Sequence, residues 1–152
     1  MKCQSGAPMW PDGVAGSISH SQKWAGALVG SISSYHSIGL DIESIGRVTQ
    51  DLWHLFFNDQ EIDFLKSRSA KYQELFSTIL YSMKEAFFKM QFQLTQKFIE
   101  FKDCEIISQW GQFSVRSIRD LGEHLVELVP MHYEVSGDQV ITYGLLPTST
   151  QA

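Results

Sequence analysis

Across residues 49–90 the chain contains neither proline nor glycine, and its apolar residues recur at helical spacing. A stretch of that length without a backbone breaker, and with a 3.6-residue apolar period, has little choice but to be helical. Leu52, Leu55 and Phe56 form one stripe, and Ile62 and Leu65 a second. Leu75, Ile79, Met83, Ala86, Phe87 and Met90 line one side of the longest stretch. Thr49 followed by Asp51 reads as a helix start. Asn58 with Glu61 three residues later has the reciprocal pattern of a capping box. The spacing predicts two short helices and then one long helix ending near Met90.

Both flanks read differently. Residues 14–19, 24–30 and 38–42 are short, β-compatible runs, and the serine-rich segment 31–37 reads as a turn, so three strands in antiparallel succession are expected. After the helices, residues 104–107, 113–118, 125–129, 132–135 and 140–145 read as strands, with Gly137 and Asp138 as a turn between the last two. Strands, then helices, then strands is the order of an α+β fold. With 152 residues, 43% of them hydrophobic, the chain can bury a core of its own. We read residues 1–152 as a single domain.

Composition narrows the function classes. A net charge of −5 argues against nucleic acid as the partner, since phosphate neutralisation needs a positive field. Cys3 and Cys104 stand far apart in no ligand spacing and read as free thiols in a reducing compartment. The start carries no apolar signal region, and no apolar run approaches the ~20 residues that cross a bilayer. The expectation is a cytoplasmic protein without a membrane span.

Three constellations carry chemistry. In Gly39-Leu40-Asp41-Ile42-Glu43, strand alternation puts both carboxylates on one face, about 7 Å apart along the strand, with Leu40 and Ile42 turned to the core. Paired carboxylates suit a hard cation that takes oxygen ligands, although any half-exposed strand alternates in this way. In Ser82-Met83-Lys84-Glu85-Ala86-Phe87-Phe88-Lys89, Glu85 and Lys89 stand one helical turn apart; an ordinary surface ion pair has the same spacing. Residues 10–21, which carry Trp10-Pro11, two glycines, three serines and His20, could hold phosphate oxygens or form a plain serine-rich hairpin.

Taken together, in this order and spacing, the three segments resemble the signature blocks of the 4′-phosphopantetheinyl transferase superfamily. They are most similar to its surfactin-type branch and to the enterobactin-synthase component D group. That group carries a Trp-Pro-x-Gly-x-x-Gly-Ser-Ile-Ser-His-Ser block, matched by residues 10–21, and a Gly-(Ile/Leu)-Asp-Ile-Glu block, matched by residues 39–43. Its Ser/Phe-x-Lys-Glu-(Ala/Ser)-x-x-Lys helix is matched by residues 82–89, and a Phe-Phe-x-x-x-Glu stretch between the two by Phe56 to Glu61.

The resemblance implies an antiparallel sheet packed against a long helix. It also implies an enzyme that moves phosphopantetheine from coenzyme A to a serine of an apo acyl, peptidyl or aryl carrier protein. Asp41, Glu43 and Glu85 would hold one Mg²⁺, with Glu85 also the candidate base. Lys89 would steady the pyrophosphate, and Ser19 and His20 would contact the phosphates of coenzyme A. Glu61 would lie near the site. Lys84, about 100° around the helix from Glu85, would meet phosphate or solvent.

Enzymes of this branch usually begin some tens of residues earlier, with an N-terminal half that grips the adenosine 3′-phosphate, and the expectation is that this sequence lacks that half. An active transferase, with a homo-oligomer supplying the missing half, and a non-catalytic remnant that binds metal or carrier both stay open. An unrelated Mg²⁺-dependent phosphohydrolase ranks behind them.

Overall fold

The computed structural model describes residues 8–122 and 128–148. Strands β1 (Val14–His20) and β2 (Ala25–Ser31) form an antiparallel hairpin, with Ser17 opposite Leu28. Strand β3 (Tyr35–Ser44) follows, then a 3-10 turn over Gln50–Leu52 and helices α1 (Trp53–Phe56), α2 (Asp59–Lys66) and α3 (Ala70–Thr95). A second 3-10 turn over Phe101–Asp103 leads into β4 (Cys104–Gln109), β5 (Gln112–Ser117), β6 (Val129–Ser136) and β7 (Gln139–Pro147). The larger sheet runs β3-β7-β6-β5-β4, with antiparallel neighbours throughout.

The α+β reading holds, and so does the long helix against an antiparallel sheet. The apolar stripe of α3 is buried as its spacing predicts: Ile79, Met83, Ala86, Phe87 and Met90 are all essentially inaccessible. Asn58 caps α2 with the reciprocal bonds of a capping box, its side chain accepting from the Glu61 amide while Glu61 accepts from the Asn58 amide. At Thr49 the turn forms, but without a side-chain cap.

Several boundaries and pairings differ from the expectation. The long helix runs five residues past Met90 and stops where Gln96 turns left-handed at φ 54°, a conformation that cannot continue a helix. The first three strands are not a meander: β3 pairs through its backbone with β7, not with β2. On its other edge, β3 meets β1 through hydroxyls. The Leu40 amide donates to Ser17 Oγ at 3.0 Å and the Ile42 amide to Ser19 Oγ at 3.1 Å, so serine side chains take the place of a ladder. Strand β6 is one element from Val129 through Pro130, since the fixed φ of a proline ring suits extended backbone. Of the strand expected over 125–129, Leu128 precedes the strand and residues 125–127 lie outside the described residues.

These pairings bury β3 on both faces. Ile38, Leu40 and Ile42 face the β1–β2 hairpin, where a Cβ added at Gly26 would touch Ile42 Cδ1 at 3.1 Å. Gly39, Asp41 and Glu43 face α3, on the side of the larger apolar cluster. At Gly39 the strand presses so closely on the helix that a Cβ would stand 2.0 Å from the Ala86 carbonyl oxygen. The carboxylate face of β3 is therefore turned inward, and Leu40 and Ile42 pack under the hairpin instead of against the main core.

Candidate active site

Gly39 brings β3 and α3 together, and the chemistry sits along that seam. Asp41 is 4% exposed and held from three directions. Its Oδ1 accepts from Lys89 Nζ at 2.9 Å and from Ser19 Oγ at 3.1 Å, and its Oδ2 accepts from Ser82 Oγ at 2.8 Å. Lys89 also donates to the Leu40 carbonyl at 2.9 Å and to Ser19 Oγ at 3.0 Å, which stitches the helix to both β1 and β3. Ser19 spends its one proton on Asp41 and accepts from the Ile42 amide and Lys89, so in this arrangement its hydroxyl is fully used inside the protein.

Glu43 and Glu85 flank Asp41. Burial, the Asp41 charge and, more weakly, Glu85 push the Glu43 carboxyl up to about 7. Burial and Asp41 likewise raise Glu85 above the ordinary carboxylate range, against the opposing pull of Lys89 and Arg47. Three acidic groups thus crowd the seam between β3 and α3, offset by Lys89 and by Arg47, whose Nε lies 3.6 Å from Glu43 Oε2. Mg²⁺ takes oxygen ligands, and this all-carboxylate, charge-crowded donor set fits it chemically. Among the described residues no three His, Cys, Asp or Glu side chains already surround one point. Glu43 leans toward Arg47, and Asp41 is pinned. Closing around a cation would therefore fall to rotation of the two longer glutamate side chains.

The remaining expected residues divide. His20 is exposed at the end of β1. Lys84 meets neither phosphate nor solvent: it is 1% exposed and donates to Glu61 Oε2 at 2.7 Å and to the Phe56 and Phe101 carbonyls at 2.9 Å each. Glu61 is buried with it and also accepts from the Ile106 amide at 2.7 Å, so the pair joins α2, α3 and β4 beneath the site. A cleft of about 350 Å³ along Gly111–Ser114 and Pro130–Tyr133 shares no residue with the carboxylate cluster.

Four residues of this neighbourhood carry no role in the sequence reading. Arg47 supplies the second cation and lies 5.8 Å from the Tyr81 ring centre. Tyr81 is kept protonated, its phenol pushed up to about 12 by burial and by Glu85. Ser82 and Thr142 form a buried hydroxyl pair behind Asp41. A signal for Ser82 was available: positions 82, 85 and 89 are spaced three and four apart, which puts all three on one helix face. Nothing local points to Thr142.

Residues 37–143 match the family model of the 4′-phosphopantetheinyl transferase superfamily, and residues 1–30 match that of the 4′-phosphopantetheinyl transferase N-terminal domain, which corrects the expectation that the N-terminal half is wholly missing. The chain is 32% identical over 102 residues to the 4′-phosphopantetheinyl transferase Svp of Streptomyces mobaraensis, covering 66% of this chain and 42% of the relative. It is 30% identical over 107 residues to PptT of Mycobacterium tuberculosis, covering 70% and 46%. The aligned part thus spans a little under half the length of these curated relatives. In fold it resembles the holo-[acyl-carrier-protein] synthase of Thermotoga maritima, with a TM-score of 0.60 at 19% identity over 72% of this chain and 61% of that one. A second synthase, the apo form from Chronobacterium ammoiniagenes, matches with a TM-score of 0.61 at 18% identity over 73% and 95%. Among the described residues no helix is long and apolar enough to cross a membrane.

Proposed function

The chain belongs to the 4′-phosphopantetheinyl transferase superfamily, and on that premise we propose that it carries out Mg²⁺-dependent transfer of phosphopantetheine from coenzyme A to a carrier-protein serine. One observation carries the reading: the Asp41 and Glu43 face of β3 meets the Glu85 and Lys89 face of α3 in one charge-coupled seam.

In the proposed reaction the carrier serine oxygen attacks the phosphorus that bears the pantetheine arm. The new O–P bond forms as the bond to the adenosine-side phosphate breaks, and adenosine 3′,5′-bisphosphate leaves. Glu85 accepts the serine proton, a task suited to a carboxylate whose proton affinity is raised by burial and by Asp41. Asp41, Glu43 and Glu85 would hold the cation, which when bound supplies charge neutralisation at the phosphates. Lys89 keeps a positive charge at the edge of the seam, where negative charge builds up on the leaving group. The exposed ring of His20 is free to reach a phosphate from the end of β1. No covalent intermediate on the protein is needed, which fits a site without a cysteine nucleophile: Cys104 is buried, and its thiol is pushed up to about 12 by that burial.

Residues 10–21 support membership of the surfactin-type branch, and the likeness to the enterobactin-synthase component D group favours a siderophore peptide or aryl carrier in the cytoplasm. The test is to incubate the chain with coenzyme A, Mg²⁺ and an apo carrier protein and to weigh the intact carrier. A gain of one phosphopantetheine that requires metal and is lost in Glu85→Gln is the expected result. No gain from the folded chain, alone or together with the N-terminal half of a relative, would leave a non-catalytic remnant.

A further inference from the structure

We propose that Ser82 and Thr142 are positioning residues that set how Asp41 offers its carboxylate to a cation; this rests on the metal-dependent reading above. Both hydroxyls are fully buried, Ser82 on α3 and Thr142 on β7, and they meet Asp41 where the helix crosses the sheet. Ser82 Oγ lies 2.8 Å from Asp41 Oδ2 and 2.8 Å from Thr142 Oγ1.

Counting protons fixes the direction of this chain. A carboxylate oxygen only accepts, so the single proton of Ser82 goes to Asp41. The contact between the two hydroxyls is then donated by Thr142. The Thr142 O–H points at Ser82 and the Ser82 O–H at Asp41, and the first bond polarises the second. On the opposite side, Lys89 and Ser19 both donate to Oδ1. Each carboxylate oxygen has about two acceptor sites. Oδ1 is therefore filled, while Oδ2 holds the Ser82 bond and has one site left. The geometry assigns Oδ2 as the oxygen that Asp41 presents to a cation, with Ser82 fixing its direction.

Without Ser82, the broad terminal torsion of aspartate is restrained from one side only. The carboxylate remains, but its free lone pair is no longer aimed. Groups that orient a metal-ligating carboxylate commonly carry about 10-fold to 100-fold of metal affinity. Thr142 acts one bond further away, so its loss should have the smaller effect.

The experiment is calorimetric titration of the purified chain with Mg²⁺ alone, beside circular dichroism of the metal-free proteins. Ser82→Ala is expected to weaken Mg²⁺ binding about 10-fold with the fold retained, and Thr142→Val, which keeps the shape, by a smaller factor. Ser82→Thr, which restores a hydroxyl at the same Cβ, is expected to bring the affinity back. In turnover, the loss should appear as a higher Mg²⁺ requirement, with kcat at saturating metal little changed. A folded Ser82→Ala that binds Mg²⁺ as the parent does, or a Ser82→Thr that fails to restore binding, overturns the positioning role. A parent chain that binds no Mg²⁺ overturns the metal-dependent reading itself, which separates the two failures.

Discussion

Lys84 and Glu61 meet at 2.7 Å inside the protein, with side chains 1% and 2% exposed. All three ammonium protons of Lys84 are used, by Glu61 and by the Phe56 and Phe101 carbonyls, and Glu61 fills both its oxygens with the Asn58 and Ile106 amides and the lysine. The pair is a structural hub one residue away from the candidate base. Removing one partner leaves an uncompensated buried charge, which typically costs about 3–5 kcal/mol. Lys84→Met or Glu61→Ala should therefore lower the urea midpoint sharply, while the double replacement Lys84→Met with Glu61→Leu recovers much of the loss. If the single variants unfold like the parent, the pair is not the hub described.

Gly39 admits no side chain. A Cβ there would overlap the Ala86 carbonyl at 2.0 Å and crowd Met90 Cβ at 2.9 Å, and neither backbone nor a helix-anchored Cβ yields cheaply. Gly39→Ala should cost about 1–3 kcal/mol or more by forcing α3 away from β3. It should also reduce transfer, because Asp41 and Glu85 stand on the two elements being parted. Thermal unfolding alongside the carrier-mass assay would reveal both effects.

Glu85→Gln separates function from stability. Replacing a general base removes about 10²–10⁴-fold of rate. The ionised form of Glu85 is disfavoured in the folded chain, since its proton affinity is raised by burial and by Asp41. A neutral, nearly isosteric glutamine should then unfold at the same temperature as the parent or a higher one. A variant that lost stability along with activity would contradict this.

The pH dependence of the chelator-treated chain should carry the mark of Glu43. Its folded value of about 7 lies above the ordinary glutamate value of 4.5, so the unfolded chain gives up this proton first as pH rises. Below both values the group is neutral in either state and costs nothing. Above about 7 it is ionised in both states, and the folded state bears the cost. Stability should therefore increase as pH is lowered from above 7 toward the ordinary carboxylate range, by about 1–3 kcal/mol from this group. Guanidinium unfolding across that window, repeated with Glu43→Gln, should show the slope flatten in the variant.

Cys104 should resist alkylation. It is 2% exposed, and burial pushes its thiol up to about 12, so almost no thiolate forms at mildly alkaline pH. Peptide mapping after iodoacetamide should find Cys104 unmodified in the native chain and modified in urea.

What was legible in the sequence is what repeats locally. The stripe from Leu75 to Met90 follows from a 3.6-residue period, and the cap at Asn58 from a three-residue spacing. Asp41 and Glu43 share a face by strand alternation, and Glu85 and Lys89 do so because they are one helical turn apart. Those rules reach only a few residues along the chain. Which strand would lie beside β3 was beyond them, since β2 and β7 both carry β-compatible patterns and the choice is made by what each can bury. The fate of Lys84 was also out of reach: its surroundings come from Phe56, Glu61 and Phe101, on three other parts of the chain.

The sequence by itself determined the α+β class, the long helix and which carboxylates share a face, because period, capping and side-chain alternation are properties of neighbouring residues. Only the tertiary structure decided that the carboxylate face of β3 turns inward against α3. That inward turn brings Ser82 and Thr142, 60 positions apart, together behind Asp41. Contacts across such separations depend on the packing of whole elements, and no short-range pattern encodes them.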